Sequence, residues 1–248
     1  MITFKSLPKK ELIGKILKIC LPKNIVSPIL QGPNKGFKRI VGSGVAENWL
    51  GTYELKKQKV ISSMIKEKMV CYDIGAHAGF YTLLFSKCVG PKGKVFSFEP
   101  NPINISFLLK HLKLNKIKNT KVLPIALWYK EDHIPLTLNS FTSHLSRKKI
   151  NNLIVPTFRV DYLVSRGTIL PPDLIKIDVE GAEPGVLKGM EKVLGEYSPT
   201  IFVALDSKEK RKNIFNFLKK MKYKILNLEM KKIDFYQISE ISEIVAVK

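Results

Sequence analysis

The sequence predicts an α/β protein with a Rossmann-like, seven-stranded, mostly parallel sheet, helices on both faces, and a helical and loop-rich N-terminal extension. Three observations carry this reading. From Met69 onward, short apolar runs rich in β-branched residues alternate with longer segments whose apolar residues recur at helical spacing, as in parallel strands joined by crossover helices. The first run, Met69 to Ile74, ends in a turn punctuated by Gly75 and Gly79 that opens a helix. Two of the runs end in acids, Glu99 and Asp178, at the carboxyl edge where open α/β sheets bind their ligands.

Taken in order, the elements divide the chain into an extension, residues 1–50, and a main domain, 51–248. Leu7 to Leu21 reads as an amphipathic helix, with Leu12, Ile16, Leu17 and Ile19 opposite five lysines between Lys5 and Lys18. It either packs over the domain edge or lies on an anionic membrane surface. Pro22, Pro28, Gly32, Pro33 and Gly36 then break the chain, and Gly42 to Gly44 marks another turn, so a loop-rich stretch and a short hairpin acting as a lid are expected. A helix over 55–66 precedes the first strand, with Thr52 as its cap on one reading.

The sheet strands follow at 69–74, 94–99, 121–127, 173–178 and 200–205, separated by helices at 79–89, 102–115, 159–166, 179–196 and 208–221. Residues 223–229 and 241–247 supply the last two strands, the final one antiparallel. Between Glu131 and Val160 the period changes to short alternating segments, 134–138 and 153–158, with Ser, Thr and Asn between them. This predicts a hairpin-like insertion at the sheet's carboxyl edge, where acceptor-specific loops belong. His144 lies inside it.

A strand, a glycine turn and a helix N-terminus direct backbone N–H groups and a positive dipole end at a ligand. The segment Gly75-Ala76-His77-Ala78-Gly79 lacks the middle glycine of a dinucleotide fingerprint, and no Walker lysine follows, so nicotinamide cofactors and nucleoside triphosphates are disfavoured. Asp73, two residues ahead of the turn, is placed to neutralise an ammonium group, and Glu99, 24 positions after Gly75, is near the spacing of a ribose-binding acid. Asp178 and Glu180 would point the same way from an extended backbone, putting two carboxylates over the cleft, where proximity should raise the pKa of one of them.

The motifs Asp-Ile-Gly-Ala-His-Ala-Gly at 73–79, Phe-Glu-Pro-Asn-Pro at 98–102 and Ile-Lys-Ile-Asp-Val-Glu-Gly-Ala-Glu at 175–183 together resemble the FkbM family of S-adenosylmethionine-dependent methyltransferases, from about Gly51 to the C-terminus. The resemblance implies a class I methyltransferase fold and S-adenosyl-L-methionine as cofactor. Carried onto this chain, it implies cofactor contacts from Tyr53 and Glu54 of a Gly-x-Tyr-Glu segment, and from Asp73, Gly75, Ala76, His77 and Gly79 with Tyr81 and Thr82 just inside the helix. Glu99, Pro100 and Asn101 follow, then Ala126 beside the adenine, and Asp178. Asp178, Glu180 and His144 are the catalytic candidates. The chain departs from the family at the end of its fifth strand, where Val203-Ala204-Leu205-Asp206 stands in place of Val-Glu-Ile-His.

By the same resemblance the acceptor is a hydroxyl on a sugar, glycan or other small molecule. Two other readings compete: an RNA methyltransferase, and a non-catalytic protein that only binds the cofactor. The charge favours RNA, with 42 basic residues against 21 acidic, a net of +21. Arginine, the residue suited to bidentate phosphate contacts, accounts for only five of the basic residues, and the lysines are spread along the chain. The Asn/Asp-Pro-Pro-aromatic signature of exocyclic-amine methylation is also missing. Cys20, Cys71 and Cys88 are scattered, which points to neither a disulfide framework nor a zinc site, and methyl transfer needs no metal. With no apolar run of bilayer length and no signal-peptide centre, a cytoplasmic protein is expected.

Overall fold

The computed structural model describes residues 25–139, 142–145, 152–205 and 208–248. The amphipathic segment 7–21, Cys20 and Asp206 lie outside them. The described chain begins with a strap: β1 (Val26–Pro28) pairs antiparallel with β2 (Lys38–Ile40), and the short α1 (Ala46–Leu50) and α2 (Leu55–Met64) follow. Glu54, not Thr52, occupies the cap position of α2. It is left-handed (φ 44°) and makes no side-chain cap bond, because its carboxylate is used elsewhere.

Seven strands form the main sheet: β3 (Val70–Ile74), β4 (Lys94–Phe98), β5 (Thr120–Leu123), β10 (Leu174–Ile177), β11 (Thr200–Ala204), β12 (Lys224–Leu226) and β13 (Glu243–Val247). Their order is β12-β13-β11-β10-β3-β4-β5, parallel except for β13, which runs antiparallel to both of its neighbours. The carboxyl ends of the parallel strands therefore share one edge. Alternation along each strand feeds two cores: Tyr72, Ile74, Phe96 and Phe98 pack on one face, and Cys71, Val95, Leu174 and Phe202 on the other. Cys71 is fully buried and acts as a small hydrophobe, its thiol pKa pushed up by burial.

The structure departs from the periodicity at three places. The predicted strand 121–127 is broken at Pro124, which cannot donate to a ladder. β5 stays in the main sheet, and β6 (Ala126–Leu127) joins a second sheet of order β6-β9-β7-β8, with β7 (Asp132–Asn139), β8 (Thr142–Leu145) and β9 (Asn152–Phe158). The insertion is thus three strands, and His144 sits on β8 opposite Thr137, not in a loop. The predicted helix 179–196 is two helices, α6 (Glu183–Lys188) and α7 (Glu191–Glu196). They part at Gly189, where a Cβ would collide with the Trp128 carbonyl of the chain entering the second sheet.

The remaining helices are α3 (Phe80–Val89), α4 (Pro102–Leu114), α5 (Val160–Ser165) and α8 (Lys208–Lys220). Among the described residues no helix is long and apolar enough to cross a membrane.

The strap is fastened to α4 by side chains. Asn115 Oδ1 accepts from Lys38 N (2.7 Å) while its Nδ2 donates to Lys38 O (2.8 Å). His111, fully buried, bridges the strap and the glycine turn: Nδ1–H donates to Ala78 O (2.7 Å), leaving Nε2 to accept from Ile40 N–H (3.0 Å). Burial and then the Arg39 guanidinium lower its pKa to about 3, so the ring is neutral at working pH. A histidine whose folded pKa lies below its unfolded value stabilises the protein fully above about pH 6.5, and this stability drains away as pH falls toward 3. Between pH 7 and pH 5 wild type should lose about 2 kcal/mol through His111 alone. Denaturant titration at the two pH values, against a His111→Gln variant that lacks this slope, checks it; parallel losses in both proteins would contradict it.

Candidate active site

Above the carboxyl edge of β3, β4 and β10 lies a cavity of about 680 Å³. The β3–α3 turn and the ends of β4 and β10 form its floor, with strap residues Val41 to Trp49 on one side and Ile125 to Leu127 with Leu136 of the second sheet on the other. It is the crevice expected of an open parallel sheet. Of the residues singled out in the sequence, Tyr53, Gly75, Ala76, His77, Tyr81, Glu99, Pro100, Ala126, Asp178 and Glu180 line it.

The turn is built differently from an anion cradle. Gly75 N and Ala76 N both donate to Phe98 O (3.0 Å each), Gly79 N donates to Ala76 O (2.8 Å), and His77 N donates to Glu99 Oε2 (2.7 Å). These N–H groups are therefore committed within the protein, and a phosphate has no nest among them. Gly75 is required sterically as well: φ is 74°, and a Cβ there would run into the Asp178 carbonyl oxygen.

Glu99 ends β4 almost fully buried, and both of its oxygens are oriented by the chain. Oε1 accepts from Asn101 N (2.9 Å) and Asn104 Nδ2 (3.3 Å), and Oε2 from His77 N. Burial raises its pKa against these bonds. A carboxylate offers about four acceptor positions, so little is left on Glu99 beyond one for a ligand hydroxyl. Asn101 works as scaffold, since its side chain caps α4 by accepting from Ile103 N (2.9 Å).

Asp73 is not at the cavity wall where the sequence placed it. It is fully buried, accepts from Thr82 Oγ1 (2.6 Å), and lies 3.3 Å from Lys176 Nζ. Thr82 is correspondingly buried beneath the floor, within 2.9 Å of Ser97 Oγ. Lys176, in the middle of β10, is a charged residue of the cavity floor that sequence reasoning passed over. Its Nζ donates to Gly75 O (2.9 Å), sits 3.6 Å from Asp178 Oδ2, and lies over the Tyr81 ring. Burial opposes its charge, but Asp73 and then Asp178 outweigh this and raise its pKa. The detectable signal was a single lysine in an otherwise apolar central strand.

A second buried lysine, Lys57, pairs with Glu54 (3.2 Å) and with Glu243, and also lies over the Tyr81 ring (5.0 Å). Glu54 also accepts from Tyr81 OH (2.7 Å), so it supports the site from behind instead of lining the cavity. Burial lifts Glu243 to about 7 against the pull of Lys57. Glu54, Asp73, Asp178 and Glu243 thus face two ammonium groups, Lys57 and Lys176. Of these only Lys176 and Asp178 line the cavity, where with Glu99 and Glu180 they make three acids to one lysine.

The segment after β10 is not extended. Glu180 (φ 52°) and Gly181 (φ 98°) are left-handed, so Asp178 and Glu180 do not leave the strand on one side as alternation implied. Glu183, fully buried, holds this turn by accepting from Val179 N (3.1 Å) and Gly181 N (3.0 Å). Asp178 is half-buried beside Lys176, and Glu180 is exposed on the cavity rim. The raised pKa expected of the pair is absent at Asp178: burial pushes its carboxyl up, but Lys176 and then Lys57 hold it below the usual range. Val203-Ala204-Leu205 ends β11 with a buried leucine and brings no acid to the cavity.

A glycine turn after β3, an oriented acid after β4, and one antiparallel strand inside an otherwise parallel seven-stranded sheet define a methyltransferase of the class I fold. The chain belongs to the FkbM methyltransferase family, whose domain model matches residues 73–225. It is similar to the hexuronic acid methyltransferase AglP of Haloferax volcanii, at 28% identity over 180 residues, covering 68% of this chain and 71% of that protein. Among solved structures it resembles the FkbM methyltransferase of Methylobacillus flagellatus (TM-score 0.52, 16% identity, 74% of this chain and 44% of that one). It also resembles a precorrin-6y C5,15-methyltransferase of Geobacter metallireducens (TM-score 0.50, 16% identity, 79% and 89%). The chain spans less than half the length of the first of these structures.

Removing Lys176 leaves Asp73 as an uncompensated buried charge. Lys176→Met should therefore destabilise the protein by about 3–5 kcal/mol in urea titration. A loss under about 1 kcal/mol, the range of an exposed pair, would show that the ion pair is not structural.

Proposed function

We propose that the protein transfers a methyl group from S-adenosyl-L-methionine to a hydroxyl of a sugar or similar small acceptor, with a uronic acid as the preferred class. The observation that carries the cofactor is Glu99, fixed by His77 and Asn101 with an acceptor position left for a ribose hydroxyl, in a cavity that Asp178 and Glu180 also line. A cavity lined by Glu99, Asp178 and Glu180 against Lys176 suits a ligand bearing a sulfonium and an ammonium. When bound, S-adenosylmethionine supplies a methyl on a sulfonium that leaves as a neutral thioether. The similarity to a hexuronic acid methyltransferase supports the acceptor class.

The chain's own contribution is alignment and proton removal. Glu99 and the packed β3–α3 turn orient the nucleoside, Ala126 leaves room at the end of β6, and Tyr53, edge-on to Phe80 at 5.6 Å, walls the cavity from the strap side. Asp178, held ionised by Lys176 and Lys57, positions charge at the floor and is a weak proton acceptor. Glu180, on the rim in a left-handed turn braced by Glu183, takes the hydroxyl proton. Backbone held in a sparsely populated conformation by its surroundings is common at functional sites.

Two variants test this. Glu99→Ala should weaken binding of the methyl donor by about 1.5–3 kcal/mol in calorimetry. Glu180→Gln should bind the donor normally yet lower transfer to a glucuronide acceptor by about a hundredfold or more. Near-normal turnover in Glu180→Gln would remove it as base, and labelled methyl appearing on RNA but not on glycosides would move the acceptor to nucleic acid.

A further inference from the structure

Arg39 enters the account above only as the cation that helps lower the His111 pKa. It lies on β2, only 1% exposed, with its guanidinium 5.6 Å from the centre of the Phe80 ring. Its Nη2 makes one long hydrogen bond, to Ser43 Oγ at 3.4 Å, and Nη1 has no partner. Among the described residues no carboxylate pairs with it. Burial lowers its pKa to about 9, which still leaves it charged at neutral pH, and its titratable neighbour His111 is neutral. An uncompensated buried cation is costly, and hydrogen bonds to neutral neighbours satisfy donors without cancelling charge.

The location says where the missing anion comes from. Phe80, under the guanidinium, lines the cavity, as do Gly42 and Gly44 of the turn that follows β2. Gly44 is the partition: a Cβ built on it would stand 3.9 Å from Arg39 Nη2 and 2.6 Å from Asn48 Nδ2. A residue with no side chain therefore separates the cation from the cavity. Asp178 at the floor and Glu180 on the rim are acidic, so the cavity offers carboxylates of its own and, behind Gly44, a cation. One guanidinium with no second cation paired beside it suits a planar monoanion better than a phosphate.

We propose that Arg39 is a recognition site for a carboxylate carried by a ligand of this cavity, reached across the Gly42–Gly44 turn. The proposal rests on the methyltransferase reading for its two sources of carboxylate: the amino-acid tail of the methyl donor, or a uronic acid on the acceptor.

The experiment uses two ligand pairs that differ in that group. S-adenosylhomocysteine and 5′-methylthioadenosine differ in the amino-acid tail; p-nitrophenyl β-D-glucuronide and p-nitrophenyl β-D-glucoside differ in the uronate. In wild type, calorimetry should show one pair separated in favour of its carboxylate member by about 10- to 100-fold. Arg39→Gln should shrink one pair's separation by about tenfold or more while leaving the other pair unchanged, and Arg39→Lys should restore part of it. The pair affected names the source. Wild type binding both members of each pair equally, or Arg39→Gln keeping the discrimination, overturns the proposal; the first outcome is read without any variant. Failure of both adenosine ligands to bind would instead count against the cofactor reading, with the glycoside pair still reporting on Arg39.

Discussion

The ion pair between Lys176 and Asp73 is the constraint on which the site depends. The parallel register of β10 on β3 puts these two residues directly opposite each other, and both are buried in the middle of the sheet. A shift of one residue in that register would turn Lys176 to the other face, so the charge pair fixes the register that also brings Asp178 against Gly75. From there the geometry propagates. Lys176 holds the Gly75 carbonyl, the turn's N–H groups close onto Phe98 and Glu99, and Glu99 is left facing the cavity in one orientation. Two buried lysines, which a hydrophobic core would normally exclude, are tolerated because each lies between carboxylates and against the same tyrosine ring.

The strap has a different logic. It buries Ile29, Val41, Ala46 and Trp49, and polar stitching fixes its position: Asn115 to both main-chain groups of Lys38, His111 to Ile40, and Asn34 to Phe80 O at 2.9 Å. Asn34 reaches Phe80, which lines the cavity, so what fixes the strap also sets one wall of the site. His111 makes the coupling direct, since one of its nitrogens holds the strap and the other holds the glycine turn at Ala78.

Most of the sheet was legible in the sequence because buried parallel strands read as short apolar runs, and their ends were marked by Gly75, Glu99 and Asp178. The errors share a cause. Pro124, Gly189 and the left-handed Glu180 are single residues that interrupt an otherwise continuous period, and a window over many residues averages them away. In the cavity, Glu99 and the turn stand at the carboxyl edge where their spacing put them. Asp73 was assigned to a ligand because its partner, Lys176, is 103 positions further along the chain, and only the fold brings the two together. Lys57, Glu243 and Arg39 were missed for the same reason: nothing local distinguishes a lysine or arginine that will be buried from one that will be solvated.

The placement of β5 at the edge of the main sheet has an evolutionary consequence. The chain that leaves β5 has open space beside it, and it builds the second sheet there before returning through α5 to β10 in the sheet's interior. Length can be gained or lost between Trp128 and Arg159 without re-registering a single strand of the main sheet. That segment is therefore a cassette: its Leu136 and the adjoining Ala126 line the cavity, so exchanging it would reshape that wall while the floor on β3, β4 and β10 stays as it is.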